Sequence, residues 1–157
     1  MLTIKRLSLS DAKLLIEGAS FKAKEIGVPM CIAITDESGQ LIAFERMDGG
    51  KITSAIIAQD KAYTAAGAKR TTESYGTASQ PGSPAYGINS AIGGRLVVVA
   101  GGLPVIVDGE VVGAIGLSSG TPAQDTECAQ AGIEHFLSRA KGLSPSHTAV
   151  SGDGRCG

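Results

Sequence analysis

The period of apolar and polar residues changes several times along the chain. From Leu2 to Leu7 they alternate as in a short strand. Ser8 and Asp11 then stand at capping-box spacing. Leu14, Leu15, Gly18, Ala19, Phe21 and Ile26 fit the inward stripe of an amphipathic helix that ends near Gly27. Pro29 breaks this pattern. Two apolar runs follow, Met30 to Thr35 and Gln40 to Arg46, and flank the turn residues Asp36, Glu37, Ser38 and Gly39, which predicts a hairpin.

Gly49 and Gly50 end the second of these strands, and Thr53 or Ser54 can cap a helix from about Ala55 to Lys69 with an alanine-rich face. The stretch Thr71 to Gly94 holds Pro81, Pro84 and five glycines. It exceeds the ~12–15 residues usual for a structureless connection, so it predicts short helical turns or a functional segment such as a lid. Arg95 to Ala100 opens a second hairpin, in which Val105 to Val107 and Val111 to Leu117 are joined by Asp108-Gly109, a pair suited to a type I′ turn. Thr121, Pro122 and Gln124 supply a cap, a first-turn proline and a capping-box partner for a last helix to about Ala140. The order of elements predicts an α+β fold, an antiparallel sheet of about five strands with packed helices.

The 157 residues, 43% of them hydrophobic, suit one domain with a real core, expected over residues 1–140. Residues 141–157 are small and polar without periodicity and are expected to be a disordered tail. A net charge of −1 and 4% aromatic content argue against nucleic acid as a partner. Cys31, Cys128 and Cys156 have neither disulfide-framework nor zinc spacing, which predicts no metal and fits a reducing cytoplasm. No apolar run approaches the ~18 residues of a membrane span, so no membrane association is expected.

The candidate chemistry clusters between Phe44 and Arg70. Alternation sends Glu45 and Arg46 to opposite faces of their strand; Arg46 can serve a surface ion pair or grip a carboxylate bidentately. Gln59, Asp60, Lys61 and Tyr63 lie within about one helical turn. They read either as a solvated or subunit-contact face or, with Thr64, as the polar wall of a pocket. Arg70 can complement the helix C-terminus or bind a second anionic group. Gly101 and Gly102 either mark a bulge or let a ligand approach the backbone closely. Cys128 reads as core and His135 as helix surface. No serine-hydrolase or phosphate-loop motif occurs.

Three blocks, VPMCIAITDESGQLIAFERMDG, SAIIAQDKAYTAA and GGLPVIVDGEVVGAIGLSSGTPAQD, resemble in order those of the GlcG and HbpS family, which includes the C-terminal domain of PduO-type proteins. The resemblance covers about residues 5–140 and implies a profilin-like or PAS-like fold, a homo-oligomer, and haem as a possible cofactor, bound or degraded. The family tends to read GVSGG where this chain has Gly116, Leu117, Ser118, Ser119 and Gly120. The histidines, His135 and His147, stand apart from these blocks, so a conventional histidine-ligated haem is not indicated.

Two functional readings result. The first is a small-molecule-binding protein that holds haem or another planar organic anion, with Arg46, Gln59, Tyr63, Thr64, Arg70, Gly101 and Gly102 as ligand contacts. The second is a lyase, isomerase or hydrolase of a catabolic pathway, with Asp60 or Glu45 as general base and an arginine clamping the substrate. An assembly module without a ligand is a third possibility.

Overall fold

The computed structural model describes residues 1–141. Helix α1 spans Leu9–Glu25, strands β1 and β2 Cys31–Asp36 and Leu41–Arg46, and helices α2 and α3 Ser54–Ala68 and Thr72–Ala78. Two 3₁₀ turns at Ile88–Ser90 and Ile92–Gly94 lead to β3, Gly102–Val107, then β4, Glu110–Ser118, and α4, Pro122–Ala140. The strands form one antiparallel sheet in the order β2-β1-β4-β3. Proline 104 lies on β3, an edge strand, where a missing N–H is tolerated.

Alternation sorts the two faces of the sheet. Ile32, Ile34, Val105, Ile115 and Leu117 join Leu15, Ala19, Cys128, Ile133 and Phe136 in the main core under α1 and α4. Cys31, Ala33 and Ala114 point to the other face, against Ala58, Ala62, Ala65 and Ala66 of α2. This second layer is thin because it is built from alanine and glycine. A Cβ on Gly116 would run into the Ala58 carbonyl, and one on Gly102 would lie 2.5 Å from the Lys61 carbonyl.

Local signals set the helix ends. Ser8 with Asp11 and Thr121 with Gln124 both form complete capping boxes. Asp108 and Gly109 have φ of 50° and 79°, the left-handed pair a type I′ turn requires. Thr53, the N-cap of α2, makes no side-chain cap bond, and the hydroxyl of Ser54, the other candidate cap, pairs with that of Ser118 at 3.1 Å.

The sheet has four strands rather than about five. Leu2–Leu7 does not pair as a strand: it lies beyond the end of β1, and its one backbone bond to β4 runs from the Leu7 N–H to the Val112 carbonyl, 3.0 Å. Ion pairs of Lys5 with Asp108 and of Arg6 with Glu37 hold the segment instead. Arg95–Ala100 is also irregular, because the Val97 N–H is taken by the Thr64 side chain at 3.0 Å. Within α1, Phe21 leaves the expected stripe and is exposed, while His135 of α4 packs into the notch left by Gly18. The stretch Thr71–Gly94 contains α3 and both 3₁₀ turns. Of the expected tail, residues 142–157 lie outside the described residues.

Candidate functional site

Helix α2 carries Tyr63 and Thr64 one turn before its C-terminus, where α3 and the 79–96 segment fold back over it. The resulting cavity, about 290 Å³, is lined by Ser38, Tyr63, Thr64, Tyr75, Ile92 and Leu96, and is floored by Gly67 and Ala68. The small floor residues leave the space that the two tyrosines border. Thr64 is buried; its hydroxyl donates to the Asp60 carbonyl (2.7 Å), has the Arg95 carbonyl in reach (3.1 Å) and accepts from the Val97 N–H.

Two arginine–tyrosine stacks flank the cavity. The Arg95 guanidinium carbon lies 3.8 Å from the Tyr63 ring centroid, and that of Arg70 lies 4.8 Å from the Tyr75 centroid. Arg95 Nε also donates to Asp60 Oδ1 at 3.0 Å, so Asp60 orients the guanidinium over the ring. Arg70 Nε donates to the Ser74 hydroxyl at 2.7 Å and one of its terminal nitrogens to the Ser74 carbonyl at 3.1 Å. Each of the two tyrosines that line the cavity thus carries an arginine on a ring face, and the cavity walls combine apolar surface with a few hydroxyls, the usual make-up of a small-molecule site.

The other candidates fall elsewhere. The Gln59 side chain folds back to the Ala55 carbonyl, 3.0 Å away. Arg46 is exposed near Gly50 and Cys31, toward the N-terminal end of α2, because β1 runs from Cys31 near Lys51 to Thr35 near Ala62. Glu45 faces the opposite side of the sheet, in a groove with Lys13, Glu17 and Lys24 of α1. Asp60 and Glu45 therefore do not share a site. Gly101 and Gly102 are buried and make room for packing. A Cβ at Gly101 would lie 2.7 Å from Lys61 Nζ, and the Gly102 N–H donates to the Thr72 hydroxyl at 2.9 Å.

Sequence reasoning missed Tyr75, Ile92, Leu96 and Arg95 at this cavity, all in the irregular stretch or at its edges. It also missed the buried pair of Lys61 with Asp125. Ser119, which stands where the family tends to have glycine, adopts φ of 121°, and its hydroxyl accepts from the Lys51 N–H at 3.1 Å. Burial pushes up the thiols of Cys31 and Cys128, the latter to about 11, which keeps both unreactive. His135 Nε2 stands 3.2 Å from Glu17 Oε2 without hydrogen-bond geometry, on the α1–α4 side. Among the described residues no three His, Cys, Asp or Glu side chains gather as a metal site would require, and no helix is long and apolar enough to cross a membrane.

A four-stranded antiparallel sheet, with two helices on one face and an alanine-faced helix and its cavity on the other, defines an α+β sandwich. The chain belongs to the family of haem-degrading HbpS-like proteins, whose model matches residues 7–134. It is 38% identical over 133 residues to a 15.0 kDa protein in the dhaT–dhaS intergenic region of Citrobacter freundii, covering 85% of this chain and 94% of that protein. The crystal structure of Klebsiella pneumoniae ORFY, of the DUF336 family, superposes with a TM-score of 0.85 at 32% identity, over 87% of this chain and 94% of that one. A PduOC–haem complex superposes with a TM-score of 0.80 at 32% identity, over 83% and 94% of the two chains.

Proposed function

We propose that this protein binds a planar organic anion, haem among the candidates, in the cavity between α2, α3 and the 79–96 segment, and that it does so as a cytoplasmic homo-oligomer. The observation that carries the reading is the pair of arginine–tyrosine stacks beside one cavity. They place π-surface and positive charge together, the chemistry a flat conjugated carboxylate requires. The structural likeness to a PduOC–haem complex supports haem as that anion.

The residues fit a tetrapyrrole in kind. Tyrosine is one of the residue types that hold haem iron, and Tyr63 and Tyr75 both line the cavity. Arg70 is the cation beside it for a propionate, while Arg46, at the other end of α2, would serve only a ligand that extends along the helix. At about 290 Å³ the cavity falls just below the range of ligand pockets, about 300–1,000 Å³, so it has room for one edge of such a ring only. The enzymatic reading gains no support from geometry, since Asp60 is engaged by Arg95 and Glu45 lies across the sheet.

Titration of the purified protein with haemin tests the proposal. A saturable Soret change is expected, weakened about tenfold or more by Tyr63→Ala or Tyr75→Ala. No saturable change removes the tetrapyrrole version, and a change indifferent to both substitutions removes this cavity as the site.

A further inference from the structure

Phe21 is a large aromatic side chain that the fold leaves outside its core, 72% exposed although the apolar stripe of α1 predicts it inward. A single exposed phenylalanine is ordinary. This one stands on the rim of a groove of about 510 Å³ between α1 and α4, beside exposed Glu17, Glu134 and Ser138, with Gly18, Ala131 and His135 more deeply placed. That floor suits a phenyl ring. Two small residues give it depth, and the His135 ring, whose Nε2 is buried and makes no hydrogen bond, adds an aromatic wall.

A knob and a socket that lie side by side on one surface complement each other under a twofold axis, because each copy then gives the one and receives the other. Charge sets the direction of the pairing. From its second turn onward, the charged residues of α1 are Lys13, Glu17, Lys22, Lys24 and Glu25. Two α1 helices side by side in parallel would set Lys13 against Lys13 and Glu17 against Glu17. Turned antiparallel, with Phe21 over the partner's Gly18, they bring Lys13 to the partner's Glu25, and Glu17 between the partner's Lys22 and the partner's Lys24. Lys22 already holds Glu25 and Glu127 of its own chain, so this pairing extends an existing network.

We infer that the α1–α4 groove is a twofold interface between copies of this chain, in which each Phe21 packs over the Gly18, Ala131 and His135 of the other copy. The inference rests on the reading of the protein as a homo-oligomer and gives that assembly a surface, an orientation and a central side chain. It also accounts for the one large residue of the α1 stripe that leaves the core.

Analytical ultracentrifugation of the full chain over a range of concentrations reads the association. The parent is expected to self-associate, and Phe21→Glu to do so at least tenfold more weakly with unchanged circular dichroism. Lys13→Glu and Glu25→Lys are each expected to weaken association a few-fold, and the two together to restore it. Cross-linking reads the orientation. With Cys156→Ser, a short bismaleimide is expected to join two chains that carry both Lys13→Cys and Glu25→Cys, positions about 18 Å apart along one helix, and to join neither single variant. Should Phe21→Glu fail to fold, this cross-link decides, and its absence overturns the interface. An oligomer indifferent to Phe21→Glu, or one dissociated instead by Ile56→Glu on the exposed side of α2, also overturns it and keeps the homo-oligomer reading. A parent that is monomeric at every concentration, its groove left to residues 142–157 or to another molecule, removes both.

Discussion

Lys61 Nζ stands 2.8 Å from Asp125 Oδ2, and the two side chains are only 2% and 4% exposed. The ammonium also donates to the Leu117 carbonyl at 2.9 Å, and Asp125 Oδ1 accepts from the Gly120 N–H at 3.0 Å. Lys61 passes beside Gly101, where a Cβ would block it, and so ties α2 on one face of the sheet to the first turn of α4 on the other. Removing one partner of such a pair strands a buried charge, so Lys61→Met is expected to cost about 3–5 kcal/mol in urea denaturation, and the double substitution Lys61→Met with Asp125→Leu to recover most of that. A single substitution costing under ~1 kcal/mol would show that the pair is not sealed from water.

Gly116 sets the distance between α2 and the sheet. Its Cα faces the α2 backbone, so a methyl group there meets the Ala58 carbonyl and the Ala62 N–H, rigid groups that cannot swing aside. Gly116→Ala is expected to destabilise by about 1–3 kcal/mol, the range for overpacking, and to weaken haemin binding because the helix that carries Tyr63 must shift. Gly67→Ala is the control: nothing lies within 4 Å of its Cβ position, so stability should hold or rise slightly. Equal melting curves for Gly116→Ala and the parent protein would contradict the close approach.

What could be read from the sequence was local. Both capping boxes, the Asp108-Gly109 turn, the first hairpin and the division of Glu45 and Arg46 between faces follow from residues within a few positions of one another. The unread part depends on partners far apart in the chain. Asp60 meets Arg95 across 35 positions and Lys61 meets Asp125 across 64, and neither pairing leaves a period or spacing to detect. Leu2–Leu7 misled for the related reason that alternation is necessary for a paired strand but not sufficient. The segment runs beyond β1, where β4 offers it a single carbonyl. Tyr63 and Thr64 were recognisable as a polar wall on α2, whereas Tyr75 and Ile92, which complete the cavity, come from a stretch with no regular pattern.

The first hairpin holds two carboxylates that are stabilised in their charged form. Burial raises the Asp36 carboxyl, but the Ser38 hydroxyl, the N–H groups of Gln40 and Ser38 and the nearby Arg6 outweigh it and hold the group below its ordinary value. A carboxylate whose folded value is depressed binds fewer protons when folded. Its contribution is therefore complete above the unfolded value, about 3.9, and is lost as pH falls through that value toward the folded one. Glu37, also held low, chiefly by its bond from Arg6, adds to the same acid limb. Asp36→Asn is expected to be less stable than the parent at pH 7 by about 1–3 kcal/mol, the scale of charge-assisted hydrogen bonds. The difference should narrow between about pH 5 and pH 3, where the parent protonates, and Glu37 should leave the variant with a shallower slope of its own. Urea midpoints measured at half-unit pH steps check this: a constant gap down to pH 3 would mean that the Asp36 charge does not stabilise the turn.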